Sequence, residues 1–124
     1  MSSIFLSDLG HTWLVDVDGT ILEHNGHKSG RERLLPGVED FWKKIPPEDY
    51  IILLSSRDES SRSATLAFLE KYGIRYNRVI FGLPVGERVL INDEKLSGLK
   101  TAIAENLKRN EGFSDLNIYI SSEL

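Results

Sequence analysis

The chain of 124 residues has no cysteine. Disulfides, thiolate catalysis and cysteine-ligated zinc are therefore excluded. It also lacks an excess of basic charge. Fifteen Lys and Arg stand against 19 Asp and Glu, a formal balance of −4, which gives no electrostatic footprint for nucleic acid or an anionic membrane. No apolar run is long enough to span a membrane; the longest, such as Tyr50–Leu54, are strand-sized. Met1–Gly10 has neither the basic start nor the apolar stretch of a targeting segment, so a cytoplasmic location is expected. Repeats and low-complexity tracts are absent. What is present, 40% hydrophobic and 27% charged residues, suits one globular domain, residues 1–124, with a single core.

The stretch Trp13-Leu14-Val15-Asp16-Val17-Asp18-Gly19-Thr20-Ile21 is where the chemistry concentrates. An apolar strand runs into two carboxylates spaced i, i+2, which leave the sheet end in related directions. Carboxylates are rarely buried without a partner, so the pair calls for a cation or a shared proton. Gly19 permits a tight turn, and Thr20 can bond backbone groups freed there. An Asp-Gly dipeptide alone marks only a turn; the apolar strand followed by Asp-x-Asp-Gly-Thr is more specific.

Residues 1–11 read as a loose lead-in, pairing weakly through Ile4–Leu6, before a strand over Thr12–Val17. Glu23–Arg33 is polar, with Gly26, Gly30, His24, His27, Lys28, Arg31 and Arg33, and reads as a mobile loop or small hairpin. Pro36 opens a helix at a first-turn position. Val38, Phe41, Trp42 and Ile45 form its core-facing stripe, and Pro46-Pro47 ends it. Tyr50–Leu54 reads as a strand buried on both faces. Asp58 or Ser60 caps the next helix, whose stripe is Leu66, Leu69 and Tyr72, with Gly73 past its end. A third strand is expected over Asn77–Phe81 and a short fourth over Arg88–Ile91, ending in Asn92-Asp93. A last helix follows over about Leu96–Arg109, then an edge strand over Leu116–Ile120. Strands alternating with helices predict an α/β fold with a Rossmann-like parallel sheet flanked by helices. In such a sheet the functional crevice lies beyond the carboxyl ends of the strands. Residues 16–18, 55–57 and 92–94 should converge there.

A carboxylate pair, a strand-end hydroxyl and a further acidic strand end suggest phosphoryl transfer. In that chemistry Asp16 attacks phosphorus and forms an aspartyl-phosphate. Asp18 protonates the leaving alkoxide, then deprotonates the hydrolytic water. Turn amides and the Ser55 hydroxyl hold the phosphoryl oxygens, with Ser56 and Arg57 beside them. Mg²⁺, an oxygen-seeking cation, offsets repulsion between carboxylate and phosphate. His24 and His27 at i, i+3, together with His11, raise the thought of zinc; without a third ligand of clear spacing they read better as loop histidines.

These segments resemble the haloacid dehalogenase-like superfamily of phosphotransferases. Asp16-Val17-Asp18-Gly19-Thr20 is similar to its first motif, Ile51–Ser55 to its second and Ile91-Asn92-Asp93 to its fourth. The resemblance implies Asp16 as nucleophile, Asp18 as acid/base, Ser55 as phosphate hydroxyl, and Asp16, Asp18, Asn92 and Asp93 as Mg²⁺ contacts. Two positions depart from it. Asn92 stands where an acid is common, and Leu83 stands where relatives carry a lysine before the proline. Arg57, Lys71, Arg88 and Lys95 are replacements for that lysine, with Arg57 preferred for its place beside Ser55. The intervals Asp16–Ser55 and Ser55–Asn92 are filled by the expected elements, which leaves no room for a cap domain. A flap at about 22–34 controls access instead. The expected activity is Mg²⁺-dependent hydrolysis of a phosphomonoester, a phosphorylated sugar or other small metabolite, without nucleic-acid or membrane partners; a second copy of the chain is a candidate cover for the open site. The alternative is a binding or regulatory module that kept the fold and lost turnover.

Overall fold

The computed structural model describes residues 2–124; Met1, the start of the expected lead-in, lies outside them. Strands β2 (Thr12–Asp16), β3 (Tyr50–Leu54) and β4 (Arg78–Ile80) form a parallel sheet in the order β2-β3-β4. Strands β1 (Ser2–Leu6) and β5 (Leu116–Ile120) form a separate parallel pair, Ser2 opposite Leu116 and Leu6 opposite Ile120. The lead-in is thus a full strand, and the expected edge strand pairs with it. Helix α1 (Gly26–Ser29) is one turn within the polar loop, α2 (Val38–Lys44) lies between β2 and β3, and α3 (Arg62–Lys71) lies between β3 and β4. The outcome is a small α/β fold.

Register aligns the functional end. Asp16 pairs with Leu54, and Leu54 with Ile80. The ladder continues past the strands: Val17 N–H donates to Leu54 O at 3.0 Å and Ser55 N–H to Ile80 O at 2.9 Å. Gly82 and Leu83 N–H then donate to Arg57 O and Ser55 O. The ends of all three strands are therefore stitched into one rim.

Val17, Ile21, Leu22, Val38, Ile51, Leu53 and Leu69 are the driest part of the core. Trp42 is buried, as its place on the stripe predicts, and its Nε1 donates to Arg75 O at 2.9 Å. The α3 stripe is rotated from expectation: Thr65 and Leu69, four apart, face inward, while Tyr72 is exposed. Asp58 is the capping residue, accepting from Ser60 N–H ahead of α3. Pro36 falls before α2, whose N-cap is Gly37 at φ 77°. A side chain at Gly37 would press against the Ser114 backbone, and one at Gly112 against Pro36 O. This close crossing seats Phe113 on Phe41, ring centroids 4.7 Å apart, and so ties the chain's last quarter to the core.

Two expected elements do not form. Arg88–Ile91 is not a strand, and Leu96–Arg109 is not a helix. Val89, Ile91 and Leu96 are exposed, so periodic apolar residues there find no surface to cover. Gly98, at φ 93°, breaks the expected helix near its start. Propensity alone does not hold a short element without burial.

Candidate functional site

Asp16 is the last residue of β2 and is 33% exposed in its side chain. Both its oxygens have partners. Thr20 Oγ1 donates to Oδ2 at 2.8 Å and Arg88 Nη1 to Oδ1 at 2.7 Å. Thr20 thus bonds the carboxylate rather than freed backbone. Asp18, two residues on, sits in a different ion pair: Arg57 Nε donates to its Oδ1 at 2.7 Å. The i, i+2 spacing does bring both carboxylates to the rim, and each meets its own arginine.

Arg57 departs most from its expected role. Its side chain is 0% exposed and is not free to meet a phosphate. Beside Asp18 it holds Glu32 through Nη1···Oε2 at 2.6 Å and Nη2···Oε1 at 2.8 Å, and donates to Thr65 Oγ1 at 3.0 Å. Burial pushes this guanidinium down; the hydrogen bonds it donates to Glu32 and Asp18, and their charges, outweigh burial and hold it above its ordinary range. Ser55 is fully buried, and its Oγ accepts from Arg57 N–H at 3.0 Å. Ser56 Oγ donates to Pro84 O at 3.2 Å. All three residues of the expected phosphate trio make hydrogen bonds within the rim. The N–H groups of Gly19, Thr20, Ile21 and Leu22 also donate within the turn, to Leu22 O or Val17 O.

The cation that reaches Asp16 is Arg88, one of the four replacements the sequence offers. Asn92 and Asp93 are exposed on the irregular segment, where Asn92 Nδ2 donates to Thr101 O and Thr101 Oγ1 bonds Asp93 O. Among the described residues, no three His, Cys, Asp or Glu side chains gather to hold a metal ion. Asp16 and Asp18 bond arginines, and Asn92 and Asp93 bond Thr101, so the hydrogen bonds described do not link the two halves of the four-residue Mg²⁺ site expected from them.

Sequence reasoning missed Glu32, Thr65 and Asn110. Asn110 clamps the turn: its N–H donates to Gly19 O and its Oδ1 accepts from His24 N–H, both at 2.8 Å. Glu32 lies in a run of mixed charge, Lys28–Arg33, where nothing separates a buried partner from a solvated one. His24 and His27 do sit near the rim, each with a buried Nδ1 lacking a hydrogen-bond partner. Burial, then the charge of Arg57, holds the His27 imidazole below its ordinary value against the opposing pull of Asp18 and Glu32.

No family model matches this chain, and no solved structure matches it. It is similar to the curated protein "Ribosomal RNA large subunit methyltransferase H" of Acidovorax sp. (strain JS42), 37% identical over 71 residues. That match covers 56% of this chain and 44% of the relative, so the chain spans under half the relative's length. These findings overturn the haloacid dehalogenase-like assignment: the likeness found is to a methyltransferase, and it leaves more than two fifths of the chain unmatched. No helix among the described residues is long and apolar enough to cross a membrane.

Proposed function

We propose that the chain is a phosphomonoester hydrolase in which Asp16 carries a transient aspartyl-phosphate. The observation that supports this reading is the pair of rim carboxylates in unlike settings: Asp16 one-third exposed beside Arg88, Asp18 more covered beside Arg57. An Asp16 oxygen attacks phosphorus as the ester P–O bond breaks, and the leaving alkoxide takes a proton from Asp18. Asp18 then removes a proton from water, which displaces the phosphoryl group from Asp16 as inorganic phosphate. Arg88 moves from carboxylate to incoming phosphoryl oxygen, where its charge counters the build-up of negative charge. Mg²⁺ is the cofactor to test, for the charge it would offset between carboxylate and phosphate.

The reading takes the chain as one Rossmann-like domain without a cap, with access controlled by residues 22–34. The substrate is a phosphorylated sugar or other small metabolite in the cytoplasm, and a second copy of the chain is the candidate cover. The acidic balance argues against nucleic-acid and membrane partners.

Two other readings have a specific observation each. A binding module fits the arginine already held by each carboxylate. Methyl transfer to ribosomal RNA fits the 37% identity to the methyltransferase, against the chain's −4 charge. A phosphoester panel with and without Mg²⁺, run on the wild type and Asp16→Asn, separates them. Turnover abolished by the substitution supports hydrolysis. Binding without turnover supports the module, and methyl incorporation into ribosomal RNA supports the third.

A further inference from the structure

The steps above leave Glu32 without a part, yet it is the most committed carboxylate of the loop. Glu23, at the loop's start, pairs inside it, with Arg33 Nε at 2.9 Å and Arg31 Nε at 3.7 Å. Glu32 reaches out of the loop to Arg57, with one oxygen on each terminal nitrogen. A guanidinium has five N–H donors in a fixed plane. Glu32 takes one from each terminal nitrogen, Thr65 one, and Asp18 Oδ1 lies 2.7 Å from both Nε and Nη2. Every donor is matched, so Arg57 cannot turn without breaking contacts on both sides. The Glu32 side chain is 19% exposed and Asp18 16%, so both bonds are largely screened from water.

The charges make this more than neutralisation. One guanidinium between two carboxylates leaves a net negative charge. His27 does not supply the missing positive charge near neutral pH, because burial and Arg57 favour its neutral form. Lys28 is the other charged group acting on His27 there, and its side chain lies at the exposed surface. Glu32 and Asp18 therefore share one guanidinium, and the place of Glu32 fixes where Arg57 points.

We propose that Glu32 is a positioning residue for the proton-transfer step, acting through Arg57: it orients the guanidinium against Asp18 and ties loop 22–34 to that setting. This rests on the role proposed above for Asp18. Docking the loop and readying the proton donor are then one event.

The test uses the full chain with Glu32→Gln, which keeps the shape and removes the charge, and Glu32→Asp, which keeps the charge. Hydrogen exchange of amides in 22–34 should rise about tenfold or more in Glu32→Gln, since a charge-assisted hydrogen bond anchors the loop. With p-nitrophenyl phosphate and Mg²⁺, Glu32→Gln should lower kcat about tenfold or more with little change in KM, because a displaced acid/base group slows the chemical step, and Glu32→Asp should restore much of the loss. A kcat that does not fall, even with faster exchange, reduces Glu32 to a loop anchor and overturns the proposal. Unchanged exchange overturns it too. If the wild type hydrolyses no phosphoester, the hydrolase reading fails first. A thermal-stability cycle of Glu32→Gln with Asp18→Asn then judges the link itself: coupled effects support it, and additive effects overturn it.

Discussion

Arg57 and Arg88 each meet one carboxylate of Asp16-Val17-Asp18, in opposite settings. Arg57 leaves the end of β3, is wholly buried, and has two carboxylates and a hydroxyl around it. Arg88 comes from an irregular segment, is one-third exposed, and bonds Asp16 through one nitrogen. The first is a frame member, because moving it would leave buried charge unpaired. The second is a cation that can change partners at small cost, because water stands ready to solvate it. The contrast suggests how one strand end can hold a fixed proton donor and an accessible nucleophile two residues apart.

The sharpest way to break that contrast is to exchange the effects of the two arginines. Arg57→Ala should cost about 3 kcal/mol of stability, by stranding Asp18 and Glu32 against the core; denaturant unfolding measures it. Arg88→Ala should change stability by less than about 1 kcal/mol, yet lower phosphoester turnover about a hundredfold, as loss of one positioned donor does. If Arg88→Ala unfolds the chain and Arg57→Ala does not, the assignments are reversed.

A smaller effect probes the Arg57 side through pH. The His27 imidazole is held below its ordinary 6.5, first by burial and then by Arg57. As pH falls through about 6.5 the unfolded chain takes up this proton before the folded one. Stability should therefore decline from that pH down to the folded value and level off below it. Melting curves of His27→Asn should lack this part of the slope. The smallest effect is expected on the exposed segment that carries Arg88: Ile91→Ser should shift stability by no more than about 0.5 kcal/mol, because Ile91 is already in water. A loss several times larger would mean that the segment packs somewhere after all.

The sequence made some of this legible for clear reasons. Val15, Val17, Ile51 and Leu53 alternate or cluster as buried strands must, and Phe41 and Trp42 recur on one helix face. Asp16 and Asp18 were found because two acids closing an apolar strand need partners. Local pattern does not name those partners. Glu32 and Arg57 lie 25 positions apart, and Arg88 and Asp16 lie 72 apart. Arg88 could be shortlisted by charge, but not chosen over Arg57. The apolar residues of 88–107 have strand and helix patterns, but Gly98 and the lack of a covering surface leave most of them outside the core. Ser55 showed the right residue type at a strand end, and only its burial reveals that it faces inward.

The most direct measurement is to quench a single turnover of a labelled phosphomonoester in acid and map the label by mass spectrometry of peptides. The account predicts one phosphoryl group on the peptide carrying Asp16, at Asp16 itself, with the label absent in Asp16→Asn. Turnover that proceeds with no phosphoryl group on Asp16, or that survives Asp16→Asn unchanged, would contradict it.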